Sequence, residues 1–158
     1  MEYYIVEFLF NQHSFFAFWY SDEIDKFYTN KNEVFVLNDY KEMIKYADEN
    51  NMIVSNEQTV IDCEYILNWS IDLDIIEEDM LDFWNISHDL AYSLKEKFCG
   101  DTDFATGVYD KLFQSCEKLM QILGRSVETT PWSIEEKLIL LKVMKDGIRI
   151  LKKIMPIS

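Results

Sequence analysis

Glycine and proline are scarce in this chain, with four and two residues among 158, and histidine occurs only as His13 and His88. Four scattered glycines, Gly100, Gly107, Gly124 and Gly147, cannot be written into a P-loop or a dinucleotide fingerprint, which excludes the common nucleotide enzymes. Two histidines exclude a metal site or mechanism that needs several. Three cysteines, Cys63, Cys99 and Cys116, are odd in number and form no Cys-x-x-Cys pair, so free thiols in a reducing compartment are expected. No run approaches the roughly 18 apolar residues of a membrane span, and Met1-Glu2-Tyr3-Tyr4 lacks the basic start of a signal peptide. A cytoplasmic location follows as the expectation.

Basic residues are also few: 15 Lys and Arg stand against 29 Asp and Glu, for a net charge of −14. Residues 1–94 carry 20 acids and 4 bases, whereas residues 95–158 carry 9 acids and 11 bases. From Tyr46 to Leu94 there is no Lys or Arg at all. Phosphate backbones and anionic lipids repel such a surface, which disfavours direct binding to nucleic acid or membrane. An acidic run has two readings, a solvated face that maintains solubility or a patch that steers a basic partner. Asp72, Asp74, Glu77, Glu78, Asp79 and Asp82 are the densest acids and the candidates for partner contact. Complementing a helix N-terminus is their alternative role.

What the chain has in quantity is apolar and aromatic surface, 49% and 15% of residues. That is enough for one core over residues 1–158, mainly sheet with one helix in 1–60 and mainly helical in 61–158. Glu2 to Phe10 and Phe15 to Tyr20 read as a hairpin around Asn11-Gln12-His13-Ser14, and Glu33 to Leu37 as a third antiparallel strand. The hairpin is apolar on both alternating faces, so it is either covered on both sides or leaves aromatics open to a partner. Asn38-Asp39 starts a helix ending at Asn50-Asn51, Met52-Ile53-Val54 suits a short strand, and Asp62 caps a short helix carrying Ile66 and Trp69. Three apolar stripes follow: Met80 to Leu94, Phe104 to Leu123 with Asp103 as N-cap and Gly124 as stop, and Leu138 to Met155. Ser133 and Glu136 open the last of these with a capping box. Strands before helices predict an α+β fold, a small N-terminal antiparallel sheet packed on a C-terminal helical layer.

Catalytic signatures are fragmentary. His88-Asp89 matches the dipeptide of metal-dependent phosphohydrolases but lacks their further ligands, and a helix-surface histidine is the plainer role. Asp72-Leu73-Asp74 has no phosphate cradle beside it. Cys116 lies on an apolar helix face, which leaves Cys99 as the more exposed thiol. No catalytic residue, cofactor or metal is assigned. The sequence therefore points to binding rather than catalysis.

Four blocks carry a likeness: Phe27 to Asn38, Phe83-Trp84-Asn85-Ile86-Ser87-His88-Asp89-Leu90-Ala91-Tyr92-Ser93-Leu94, Tyr109-Asp110-Lys111-Leu112-Phe113, and Pro131-Trp132-Ser133. Together they resemble small bacterial immunity proteins of polymorphic-toxin and contact-dependent growth-inhibition systems. Related sequences turn Gly/Asn-rich after the position of Phe113, whereas Gln114-Ser115-Cys116 continues the helical pattern here. The resemblance implies a cytoplasmic antidote that binds one cognate toxin domain, a basic nuclease-type domain being the best match to the chain's charge. The alternative is an inhibitor that mimics nucleic acid with spaced carboxylates and binds many basic proteins.

Overall fold

The computed structural model describes residues 1–127 and 130–156. Strands β1 (Glu2–Phe10) and β2 (His13–Asp22) form the expected hairpin, registered from Tyr4 opposite Trp19 to Phe10 opposite His13. Asn11 and Gln12 make the tight turn, both at positive φ, and the Glu64 carboxylate accepts from the Gln12 N–H. Two positive φ values in a two-residue loop match the right-handed strand twist. Beyond the hairpin, β3 (Ile24–Phe27) folds back on the end of β2. The expected single strand over Glu33 to Leu37 is divided. β5 (Glu33–Val34) pairs with β4 (Thr29–Asn30) in a separate ribbon, and β6 (Val36–Leu37) joins the β2 edge.

Helix α1 (Tyr40–Glu49), capped by the Asp39 side chain on the Lys41 N–H, then crosses the sheet. It delivers β7 (Ile53–Asp62) parallel to β1. The sheet is therefore mixed, in the order β3-β2-β1-β7, and not antiparallel throughout as the sequence suggests. A hairpin can only return antiparallel, but a helical crossover lands the next strand parallel. An irregularity interrupts the β1–β7 register between Tyr3 and Ile5, where Ser55-Asn56-Glu57 in β7 is left without register partners on β1.

Both faces of the hairpin are covered, which answers the question its two apolar faces raise. Ile5, Phe16 and Phe18 pack under Met43 and Ala47 of α1. On the other face Val6, Phe8, Phe15 and Ala17 meet the helical layer, with the Phe8 and Phe15 rings stacked at 5.0 Å. That layer comprises α2 (Cys63–Asn68), α3 (Glu77–Leu94), α4 (Asp103–Ser115), α5 (Glu117–Ile122) and α6 (Ile134–Lys152). The fold is α+β, with helices on both sides of the sheet. Among the described residues no helix is long and apolar enough to cross a membrane.

Helix boundaries follow local chemistry. Asp62 caps α2 by accepting from the Tyr65 N–H at 3.0 Å. At α3 no side chain caps the start, and Glu77, Glu78 and Asp79 occupy its first turn, where their charge offsets the helix dipole. The expected helix from Asp103 to Leu123 is broken at Cys116, whose extended backbone separates α4 from α5 while its side chain stays buried. Thr102, not Asp103, occupies the N-cap position of α4, and Gly124 ends the segment at positive φ.

Ser133 and Glu136 form the reciprocal capping box at α6. Glu136 additionally holds Lys111 of α4 at 2.9 Å, tying the cap to its neighbour. Ser133→Ala should lose about 1 kcal/mol and Ser133→Gly only a few tenths, because glycine is itself tolerated at the N-cap. Thermal melts of the two variants check the order.

Candidate functional site

A cleft of about 670 Å³ lies between α3, α4 and strands β1, β2, β3 and β7. Two residue classes stand out in its lining, beside Val6, Thr59, Ile61, Asn85, Ile86 and His88. Asp25 of β3, Glu57 of β7, and Asp82 and Asp89 of α3 supply carboxylates; Tyr4, Trp19 and Tyr109 supply aromatic wall. Among the described residues neither Lys nor Arg lines it. Each side chain is placed by strand alternation or helix period. Tyr4 and Val6 share one face of β1, and Asp82, Asn85, Ile86 and Asp89 share one face of α3.

Asp89 is the deepest of the carboxylates, with 7% of its surface exposed. The Trp19 indole N–H donates to its Oδ2 at 2.9 Å. Its backbone carbonyl accepts from Ser93 Oγ, which in turn accepts from the Phe27 N–H. A chain of hydrogen bonds thus fixes α3 to β2 and to the end of β3. Burial pushes the Asp89 carboxyl up to about 6; the Trp19 bond and His88 oppose the rise, while Asp25 and Asp101 add to it. Asp82 also rises to about 6, through desolvation first and then the like charges of Glu78 and Asp79, with Lys118 opposing. Because Asp82 keeps more than a third of its surface open, solvent screening makes its shift weigh less than that of Asp89.

The rim is ordered by polar and aromatic contacts. The Tyr109 hydroxyl donates to Asn85 Oδ1 at 2.8 Å, and the Tyr109 ring meets Trp84 edge-on at 5.2 Å. Tyr4 meets Trp19 in the same way at 5.5 Å. His88, exposed at the mouth, contacts Asp101 through Nδ1 at 2.5 Å. No family model, curated protein or solved structure matches this chain. Carboxylates backed by aromatic faces, with no Lys or Arg in the lining and only the exposed His88 at the mouth to offset their charge, suit a guanidinium or ammonium group, which gains both ion pairing and a ring contact.

Of the six acids singled out in the sequence, only Asp82 reaches this cleft. Asp72 and Asp74 lie on the exposed loop before α3, where the Asp74 backbone carbonyl accepts from Trp69 Nε1 at 3.0 Å and from the Tyr65 hydroxyl. Asp74, Glu77 and Asp79 gather around Tyr65, whose hydroxyl is raised by burial and, after the opposing Ile76 bond, by those three charges. Glu78 pairs with Lys118 at 3.2 Å. Asp79 is raised by desolvation, then by Asp62 and Glu78. These acids form a second negative region up the same helix. Asp25, Glu57 and Asp89 were missed as a group because they come from three elements; the spacing of Asp82 and Asp89, two helical turns apart, was the available signal.

Elsewhere, the thiols of Cys63 and Cys99 are quiescent. Burial raises Cys63 to about 12, and burial followed by Asp146 raises Cys99 to about 11, so both stay protonated at neutral pH. An activated nucleophile is shifted in the opposite direction. Among the described residues no three His, Cys, Asp or Glu side chains converge to hold a metal ion.

The raised Asp89 carboxyl has a definite pH signature. A group with a folded pKa above its unfolded value contributes stability that is complete below the unfolded pKa, near 3.8, and is lost as pH rises through about 6. The depressed carboxyls Glu96, Glu136 and Asp146 lose their contribution only at lower pH, so they leave this window clear. The melting temperature should be higher near pH 5 than near pH 7.5. Asp89→Asn, which keeps an acceptor for Trp19, should remove part of the difference, Asp82 supplying a smaller, solvent-screened share, and stabilise the protein at the higher pH by on the order of 1–2 kcal/mol. Melts of both proteins across this range are the check.

Proposed function

We propose that this chain is a binding protein that neutralises a basic protein partner by seating its cationic side chains in the acidic, aromatic cleft. The carrying observation is the lining itself, four carboxylates and three aromatic rings without one Lys or Arg. The net charge of −14 steers such a partner toward the chain and repels nucleic acid. Occupation by an arginine or lysine would cover the partner's own cation, the group a nuclease-type toxin uses to hold phosphate. The resemblance to immunity proteins supplies the biological setting, a cytoplasmic antidote acting on one cognate toxin domain.

Stoichiometric binding is the test. The purified chain is titrated by calorimetry with the C-terminal domain encoded by the adjacent upstream gene, and separately with a core histone and with polylysine. Tight binding to that domain alone, in a one-to-one complex that blocks its activity, is the expected result. Equal affinity for all three would replace this reading with nucleic-acid mimicry. Absence of binding to the encoded domain would remove the immunity assignment.

A further inference from the structure

A groove of the opposite character lies between α2 and α6. Ile66 of α2, Trp69 just past its end, and Met144 and Ile148 of α6 are buried in the core and form the floor of a hollow of about 530 Å³, with Leu67 and Leu141 also in its lining. Leu67 is 41% exposed, and Leu138, one turn before Leu141 on α6, is 50% exposed, so the apolar surface continues along the helix. The charged residues lining the groove are all cations: Lys145, Arg149 and Lys152. Arg149 is anchored, with its Nε on Asp146 at 2.7 Å, a second contact to Glu96 and a bond to the Lys97 carbonyl. Lys145 and Lys152 have no ion-pair partner among the described residues. In a chain with nearly twice as many acids as bases, an apolar hollow whose charged lining is entirely cationic carries a local charge opposite to that of the whole molecule.

We infer that this groove docks an acidic amphipathic helix of a partner protein, its apolar side chains entering the hollow and its carboxylates meeting Lys145, Arg149 and Lys152. The three cations follow one another along α6 over seven residues, about 10 Å of helix axis. A row of that length matches carboxylates on successive turns of a second helix. A fatty acid offers one carboxylate and leaves most of the row unmet. The hollow has the size of an ordinary ligand pocket, large enough for a few anchoring side chains, and helix-in-groove recognition uses such anchors at i, i+3, i+4 and i+7. This surface does not depend on the acidic cleft or on the function proposed for it.

The probe is a synthetic amphipathic helical peptide with leucines on one face and glutamates along its flanks, labelled for fluorescence anisotropy. Binding should weaken at least about tenfold in a Lys145→Glu, Lys152→Glu variant, which alters only exposed positions. Leu67→Glu should weaken it as well, through the wall of the hollow instead of the rim. A matching peptide with lysine for glutamate should not bind. Equal binding of both peptides, or affinity unchanged in both variants, would overturn the proposal. Uptake of oleate without uptake of the acidic peptide would make the groove a lipid site, and concentration-dependent self-association lost on Lys145→Glu would make its occupant a second copy; either result also overturns it.

Discussion

Gly147→Ala should destabilise the protein by about 1–3 kcal/mol, even though alanine is the better helix former by roughly 1 kcal/mol. Gly147 lies in α6 where that helix crosses α3, and a Cβ there would stand 2.5 Å from the Phe83 ring and 2.6 Å from Ser87 Oγ. Phe83 is among the largest fully buried side chains, so it cannot swing away. The Ser87 hydroxyl is itself buried without a hydrogen-bond partner among the described residues. Ser87→Ala alone should therefore stabilise by up to about 1 kcal/mol, and combined with Gly147→Ala it should recover part of the loss. Gly107 provides the contrast. It sits in α4 with nothing within 4 Å of a built Cβ, so Gly107→Ala should stabilise by about 0.4–1 kcal/mol. Denaturant melts of the four variants decide the matter; equal and small effects at the two glycines would show that α3 and α6 do not cross this closely.

The second large effect concerns binding. Asp25→Lys combined with Glu57→Lys should reduce affinity for the proposed basic partner by about a hundredfold at low salt, mostly by slowing association. Both side chains are exposed and lie on different strands at the cleft mouth, so folding should change by no more than about 0.5 kcal/mol. Tyr4 is close enough to Glu57 to feel its charge, and Asp25 likewise acts on Asp89, so two lysines here would place cations against the deepest part of the cleft. Asp74→Lys with Glu78→Lys changes the same net charge outside the cleft. It should cost much less affinity while still reducing the salt dependence. Association rates of both pairs at two ionic strengths separate steering by total charge from occupation of the cleft, and equal losses from the two would refute the cleft.

The hairpin was legible in the sequence because dense β-branched and aromatic residues flank a polar turn, and the capping box of α6 because Ser133 and Glu136 are close in the chain. Strand β7 was not, beyond Ile53 and Val54. Its middle, Ser55 to Thr59, is polar because it lies on an exposed sheet edge, and its parallel pairing depends on the α1 crossover rather than on any local signal. The break at Cys116 is marked by neither glycine nor proline. The acidic site was half legible. Charge density drew attention to the start of α3, while the cleft is made by the other end of the same acidic stretch together with strands distant in sequence. Trp19 and Asp89 stand seventy residues apart, and nothing local announces their hydrogen bond.

The order of the central strands also sets an order of events. β2 can pair with β1 through a two-residue turn, but β7 reaches the other side of β1 only after the intervening chain has formed its crossover. Closing that longer loop before any reward from pairing is a slow, entropically opposed step. Until it happens, a hairpin with Ile5, Phe16 and Phe18 on one face and Phe8, Phe15 and Ala17 on the other has no cover on either side. Such a segment is a template for pairing with other unfinished chains. Refolding yield should fall steeply as protein concentration rises, while the finished molecule, with α1 and the helical layer in place, keeps the same hairpin out of reach.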